Sequence, residues 1–325
     1  MKKILKVISI FITSVLLTTL GIILYFKDSL SIAYNVYIEL KNSNKSIETL
    51  GQLTNYYVTN SMDIQGLKYK ESESNDVFLD IYRSKIEDKP SPVILYIHGG
   101  SWIYGDNGIP IGLDPIINSF NNNGYTIISV SYELLKEDSQ IENPIKDVKD
   151  AIRWVYKNKD SYNFDTENIG ILGLSSGAHL GLMASYSEDD DFIGDKDLQK
   201  YSSKVSYIID VFGPTDLSSL DTSSIELEYK DEIESLLKSA TTLNNYSPIN
   251  YISESSPRTL IIHSKTDEIV PYENATNLYT ELINTGIKAK LLTLNTGSHY
   301  FNGYNQREIY SLVFELFKFI DLNTK

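Results

Sequence analysis

The feature that most constrains the fold is a pentapeptide, Gly173-Leu174-Ser175-Ser176-Gly177, which stands between a predicted strand and a predicted helix. A short apolar run at residues 169–172 precedes it, and residues 178–186 follow it with a helical composition. A strand–turn–helix of this kind makes a sharp turn at the central serine, and the flanking glycines relieve the crowding there. We therefore predict that Ser175 exposes its hydroxyl as a nucleophile, the alternative being a plain helix N-cap.

Short apolar runs alternate with amphipathic stretches along most of the chain. Strands are predicted at residues 76–82, 93–97, 125–130, 169–172, 205–211, 259–263 and 289–294. Helices are predicted from residue 144 to about 155, at 178–186 and at 306–322. Continuous apolar strands separated by helices predict an α/β fold with a mostly parallel central sheet that is flanked by helices.

The N-terminus carries an uncharged run of 20 residues, 7–26, between Lys6 and Lys27. As a helix it would be about 30 Å long, the thickness of the hydrocarbon core of a bilayer. Because lysines precede the run, we predict that residues 1–27 are a single-pass membrane anchor with the remaining chain outside the cytoplasm. A cleaved signal peptide, which would release a secreted protein, is the alternative. Residues 28–60 are predicted to be a stalk, and residues 61–325 the catalytic domain.

Composition excludes several classes of chemistry. The chain has no cysteine, which excludes disulfides, thiolate nucleophiles and cysteine-ligated metals. Its net charge of −14 becomes −18 once the four lysines of residues 1–27 are set aside. An acidic surface of this kind repels phosphate, so we expect no nucleic-acid partner. No pair of histidines has metal-ligand spacing, so we expect neither a metal nor another cofactor.

A second glycine-rich loop, His98-Gly99-Gly100-Ser101-Trp102, follows the strand predicted at 93–97. Two glycines after a buried strand let backbone N–H groups approach a ligand closely. Ser176 begins the helix after the pentapeptide, where its N–H points toward developing negative charge. The predicted oxyanion donors are Gly99, Gly100 and Ser176. The predicted substrate contacts are Ser101, which is also a further candidate donor, and Trp102, which either packs under the loop or lines the acyl pocket.

A serine nucleophile needs a base, and the chain has only four histidines from which to take it. Three of them are His98 in the glycine loop, His179 in the helix after Ser175, and His263 in a strand. His299 alone stands in a loop late in the chain, directly after a predicted strand. We therefore predict that His299 is the general base.

The base in turn needs an orienting carboxylate between the nucleophile and the histidine in chain order. Asp267 follows the strand predicted at 259–263 and is the preferred candidate. Glu268 is the neighbouring alternative, and Asp210 and Asp216 are further alternatives near the end of the preceding strand.

Together these motifs resemble the α/β-hydrolase superfamily, and within it the esterase/lipase branch with a His-Gly-Gly-x-Trp loop. That branch includes the bacterial feruloyl-esterase-like (BD-FAE-like) enzymes, the hormone-sensitive-lipase-like esterases and the arylformamidases. The likeness covers about residues 62–321 and includes the early strand at 79–82 and the loop at 213–217. Glu133 departs from the family, which often has arginine there, and this puts a structural ion pair in doubt.

The resemblance implies that the chain hydrolyses carboxylic esters without a cofactor, with short-chain or aryl acyl groups carried on small molecules or polysaccharides. Amide or formamide hydrolysis and serine peptidase activity remain alternatives on the same fold. A catalytically silent, membrane-tethered binding module is an alternative of another class. Residues 217–250 interrupt the alternation with a helical pattern at 225–237. They are either a small cap over the site or an ordinary connection.

Overall fold

The computed structural model describes residues 61–70, 76–110, 113–136, 139–220, 240–300 and 303–324, together with Leu17, Tyr34 and Thr59. The predicted anchor and stalk therefore lie outside the described residues, apart from those three positions, and so does the helical pattern at 225–237. Within the described ranges, no helix combines the length and the apolar character that crossing a membrane requires.

Eight strands form one sheet in the order β1-β2-β4-β3-β5-β6-β7-β8. The strands are β1 Ile64–Lys70, β2 Val77–Tyr82, β3 Ser91–Ile97, β4 Thr126–Val130, β5 Phe164–Leu174, β6 Tyr207–Val211, β7 Arg258–Ser264 and β8 Ala289–Leu294. The pairs β1–β2 and β2–β4 are antiparallel, and every later pair is parallel. The mostly parallel sheet predicted from the sequence is thus confirmed.

Helices cover both faces of this sheet. In the described part of the chain they are α1 Asp114–Asn122, α2 Glu142–Lys157, α3 Lys159–Tyr162, α4 Ser176–Tyr186, α5 Ala240–Asn245, α6 Glu273–Asn284 and α7 Gln306–Asn323. Apolar residues of α2, α4 and α6 form one core with the sheet, and those of α1 and α7 form the other. The central strands are buried on both sides, which explains their continuous apolar runs.

The edge strand β1 ties the sheet to α2 through a buried ion pair. The ammonium of Lys70 lies 2.6 Å from Asp147 and 2.9 Å from Asp150, and all three side chains are at most 9% exposed. The backbone N–H of Glu133 donates to the other oxygen of Asp147 at 2.7 Å. The buried acids are therefore paired with a cation. It is Lys70 of β1, and not an arginine at position 133. The segment after β4 is fixed by the same group of charges.

Candidate active site

Ser175 occupies the turn between β5 and α4 with φ +50° and ψ −118°. A positive φ is unusual for a residue with a side chain and is kept only where the surrounding structure enforces it. Here the neighbours have no room for side chains. A Cβ on Gly173 would lie 2.4 Å from the Cα of Ala178, and one on Gly177 would lie 2.3 Å from the carbonyl oxygen of His98. The glycines therefore let strand, turn and helix close tightly around the serine.

The loops after β7 and β8 bring a histidine and a carboxylate to this turn. The Oγ of Ser175 lies 2.8 Å from Nε2 of His299. The Nδ1 of the same ring lies 2.8 Å from Oδ2 of Asp267. A carboxylate only accepts, so Nδ1 carries the proton and Nε2 is free to accept from the serine hydroxyl. The structure thus brings the predicted nucleophile, base and acid together in a single hydrogen-bonded series.

The carboxylate of Asp267 is fully buried, and both of its oxygens accept hydrogen bonds. Its Oδ1 accepts the backbone N–H groups of Ile269 at 2.9 Å and Val270 at 2.8 Å. Burial by itself raises the pKa of Asp267, but the hydrogen bond and charge of His299 and the N–H of Val270 outweigh it. The net pKa lies below its ordinary value, so the group stays ionised and can hold the imidazole of His299.

His263 is a neighbour of this carboxylate to which no sequence motif assigns a role in the site. Its Nε2 donates to the carbonyl oxygen of Val270 at 2.9 Å and lies 3.5 Å from Oδ2 of Asp267. Burial lowers the pKa of His263, which favours the neutral ring. The ring therefore supports the loop that carries Asp267. The spacing of four residues between the two was the only signal of this contact in the sequence.

The other three candidate acids have different partners. Asp210 is fully buried behind the turn, where its Oδ1 accepts the N–H of Gly213 at 2.8 Å. Asp216 caps a short 3-10 helix by accepting from Ser218. Glu268 accepts the backbone N–H of His299 at 3.1 Å rather than a ring proton. Of the four acids, Asp267 is the one whose carboxylate lies at Nδ1 of the histidine.

The glycine loop after β3 lies against the serine turn. A Cβ on Gly99 would lie 3.3 Å from the Cβ of Ser175, so the glycine lets the two backbones meet. Gly100 has φ +127°, and a Cβ there would lie 2.1 Å from the carbonyl oxygen of Tyr104. Ser176 is the first residue of α4, and the first N–H groups of a helix have no partner within it. Two of the three predicted oxyanion donors, Gly99 and Ser176, therefore lie directly beside the serine, and Gly100 follows Gly99 in the same loop.

Aromatic side chains support this loop from below. The ring of His98 stacks on Tyr132 at 4.2 Å, and the Tyr132 hydroxyl donates to the His98 carbonyl at 3.1 Å. The Nδ1 of His98 donates to the carbonyl oxygen of Gly99 at 2.7 Å, so this histidine holds the backbone of its own loop. Trp102 lies under the loop and is only 3% exposed, so it offers little surface to a substrate. Ser101, half-buried with φ +51°, lies between the glycines and this ring.

An apolar cavity of about 100 Å³ lies elsewhere, between the sheet and helices α1 and α7. Leu174 is part of its wall, whereas the side chains of Ser175, Asp267 and His299 are not. The cavity is therefore a gap in the second core rather than the place where bonds would change. Within the described ranges, no group of three or more His, Asp or Glu side chains is arranged to hold a metal ion.

Comparison with known proteins identifies the family. The profile of the BD-FAE family matches residues 79–282, which is more than half of the chain. The chain belongs to the BD-FAE family. The matched range begins in β2, ends in α6 and includes the glycine loop, Ser175 and Asp267. The expected resemblance to this branch of the α/β-hydrolases is confirmed.

Curated relatives of this BD-FAE chain are distant in sequence. It is 26% identical over 211 residues to the esterase LipC of Mycobacterium tuberculosis, a match that covers 63% of this chain and 51% of LipC. It is 22% identical over 254 residues to a probable isoprenylcysteine alpha-carbonyl methylesterase of Oryza sativa, covering 75% of this chain and 59% of that protein. The chain thus spans about half the length of the curated relatives it matches.

Solved structures share the fold over nearly their whole length. A truncated carbohydrate esterase from gut microbiota superposes with a TM-score of 0.65 at 25% identity, covering 81% of this chain and 98% of its own. A thermophilic esterase from Thermogutta terrifontis, Est2, superposes with a TM-score of 0.66 at 19% identity, covering 81% of this chain and 94% of its own. The fold of this chain is therefore that of the α/β-hydrolases.

Proposed function

We propose that the chain is a serine hydrolase of carboxylic esters. The observation that carries the proposal is the hydrogen-bonded series from Ser175 through His299 to Asp267, with the serine at a strained turn. This arrangement has the order and polarity that nucleophilic acyl transfer requires. The BD-FAE match and the esterase relatives support the same reaction class.

In the first half of the proposed reaction, Ser175 attacks the ester carbonyl while Nε2 of His299 takes its proton. Asp267 keeps the proton on Nδ1 and stabilises the imidazolium that forms. His299 then gives its proton to the leaving alcohol, which departs as the acyl–serine bond is retained. In the second half, His299 takes a proton from water, the hydroxide attacks the acyl group, and the serine is released with its proton returned.

The negative charge on the carbonyl oxygen needs donors that are already in place. We propose that the backbone N–H groups of Gly99, Gly100 and Ser176 supply them. Donors that are fixed before the reaction stabilise the transition state without reorganising, and one such donor is worth about 10²- to 10³-fold in kcat. The positive φ of Gly100 and the start of α4 at Ser176 support this assignment, because both are set by the fold.

For the substrate, we propose a short-chain or aryl acyl ester on a small molecule or a polysaccharide. The 25%-identical structural neighbour is described as a carbohydrate esterase, and LipC as an esterase. A suitable test is a panel of aryl acetates, longer acyl esters, feruloyl esters, acetylated polysaccharides and formanilides. We expect ester hydrolysis, and none above background with Ser175→Ala. Turnover of formanilides alone would replace ester by amide hydrolysis, and turnover of nothing would favour a binding module.

We also propose that residues 1–27 anchor the enzyme in the cell membrane with the catalytic domain outside the cytoplasm. The support is the uncharged run at 7–26 behind three lysines, whose length suits a bilayer. The full chain, expressed with a C-terminal tag, should stay in the membrane fraction after alkaline washing and be open to protease from outside. Release of a shortened chain into the medium would instead identify a cleaved signal peptide.

A further inference from the structure

A buried histidine in α4, one turn after the proposed nucleophile, joins two distant parts of the chain. His179 is fully buried, and its Nδ1 lies 3.2 Å from the indole nitrogen of Trp102. Its Nε2 lies 2.7 Å from the carbonyl oxygen of Tyr246. A carbonyl oxygen only accepts, so Nε2 carries the proton and Nδ1 is left to accept from the indole N–H. The two contacts thus select a single tautomer of His179.

The residue held on one side belongs to a strained loop. Gly100, Ser101 and Trp102 have φ values of +127°, +51° and +66° in succession. Left-handed conformations of residues with side chains persist only when surrounding contacts enforce them. The backbone of Trp102 accepts the N–H of Leu135 at 2.8 Å, and its indole meets the ring of His179 edge-on at 5.2 Å. The His179 bond therefore fixes the side chain that ends the proposed oxyanion loop.

The residue on the other side belongs to the base of the 217–250 segment. Tyr246 follows α5 directly, and the next residue, Ser247, accepts the backbone N–H of Leu217 at 2.9 Å. This bond closes the base of the segment from both of its ends. His179 is thus a polar connection between the oxyanion loop and the place where this segment enters and leaves the fold.

We propose that His179 is a positioning residue: as the Nε2–H tautomer, set by Tyr246, it holds Trp102 and through it the oxyanion loop in the reactive geometry. The rate effect rests on the function proposed above, whereas the hold on Trp102 is a property of the folded chain. Burial lowers the pKa of His179 to about 4, against the opposing effect of the Tyr246 bond, so the ring is neutral at pH 7.

Two amide substitutions test the two hydrogen bonds of His179 separately, because each keeps one bond and removes the other. The Oδ1 of His179→Asn takes the place of Nδ1 and still accepts from Trp102, whereas the amide nitrogen of His179→Gln takes the place of Nε2 and serves Tyr246 alone. A loop displaced by about 1 Å can cost about 10²-fold in rate. We expect His179→Gln and His179→Ala to lower kcat at least about tenfold with little change in KM, and His179→Asn to recover most of kcat.

The indole N–H of Trp102 reports the bond without any substrate. The chain has two tryptophans, so Trp102→Phe assigns its signal in a ¹⁵N NMR spectrum. We expect slow exchange with solvent in the wild type and His179→Asn, and fast exchange in folded His179→Gln. Tyr186→Phe, which loses one buried bond at the far end of α4, is the matched control and should keep kcat.

Three results would overturn the proposal. The first is wild-type kcat in His179→Gln. The second is equal loss of kcat in the Asn, Gln and Tyr186→Phe variants, which would mean general destabilisation. The third is unchanged protection of the Trp102 N–H in His179→Gln. If Ser175→Ala retained activity, the proposed function would fail, but the exchange of the Trp102 N–H would still decide whether His179 holds the loop.

Discussion

Replacing Asp267 by asparagine should disable the base while leaving the geometry intact. The side-chain amide has one oxygen and one NH₂ for the two positions that the carboxylate oxygens occupy. The Oδ1 position accepts two backbone N–H groups, from Ile269 at 2.9 Å and Val270 at 2.8 Å. The amide oxygen must stay there, so the NH₂ faces Nδ1 of His299, 2.8 Å from the present oxygen. The ring then adopts the tautomer with its proton on Nε2, which cannot take a proton from Ser175.

The size of the effect follows from the competing arrangements. Turning the amide around would leave two buried N–H groups facing an NH₂, at about 1–3 kcal/mol for each unsatisfied donor. The imidazole therefore changes tautomer instead. Loss of the correct tautomer in a Ser-His-Asp triad lowers kcat about 10⁴-fold. That factor corresponds to about 5 kcal/mol of transition-state stabilisation, since each 1.36 kcal/mol is tenfold in rate.

The assay is kcat/KM for aryl acetates at pH 7–8, with circular dichroism to verify folding. Glu268→Gln is the matched control, because its amide oxygen still accepts the backbone N–H of His299. The kcat/KM of this variant should stay within about threefold of the wild-type value. If folded Asp267→Asn kept more than a tenth of the wild-type kcat/KM, Asp267 would not be the residue that sets the tautomer of His299. An equal loss of kcat/KM in Glu268→Gln would instead assign the role of the acid to Glu268.

Three further substitutions test the surroundings of the site. Gly177→Ala places a Cβ 2.3 Å from the carbonyl oxygen of His98, so urea unfolding should show a loss of about 1–3 kcal/mol and activity should fall with it. Lys70→Met leaves Asp147 without its buried cation, and the loss in urea unfolding should be about 3–5 kcal/mol. Burial raises the pKa of Asp210 from 3.8 to about 7. The folded chain therefore keeps a proton that the unfolded chain releases, and stability falls as pH rises through that window. In Asp210→Asn this fall should disappear. The difference in Tm, variant minus wild type, should therefore be larger at pH 8 than at pH 5.

Much of the fold was readable because the central strands are buried on both faces. The runs at 93–97 and 205–211 are mostly apolar, and they form β3 and β6 with a shift of at most two residues at one end. Edge strand β1 was not predicted, because half-exposed Ile64–Lys70 contains Gly66 and polar residues and has no apolar run. Its place in the sheet depends on pairing with β2 and on the contact of Lys70 with α2, which lies about 80 residues away.

The sequence predicts those parts of the candidate site that are formed by consecutive residues. The turn at Ser175 and the glycine loop each show their geometry in a few consecutive residues, since only glycine fits where backbones meet. The sequence favoured Asp267 as the acid but kept three alternatives, because the choice depends on how the loops after β7 and β8 meet. The bond between Trp102 and His179 joins residues 77 positions apart. Neither local sequence predicts this hydrogen bond, because the bond arises from packing α4 beneath the loop.

A mechanism-based label can show whether Ser175 is the nucleophile. The purified protein is treated with a fluorophosphonate, digested, and analysed by mass spectrometry to locate the phosphonyl group. We expect one adduct, on Ser175, formed in step with the loss of aryl acetate hydrolysis and absent from Ser175→Ala. An adduct on another residue, or full hydrolysis by the Ser175→Ala protein, would contradict it.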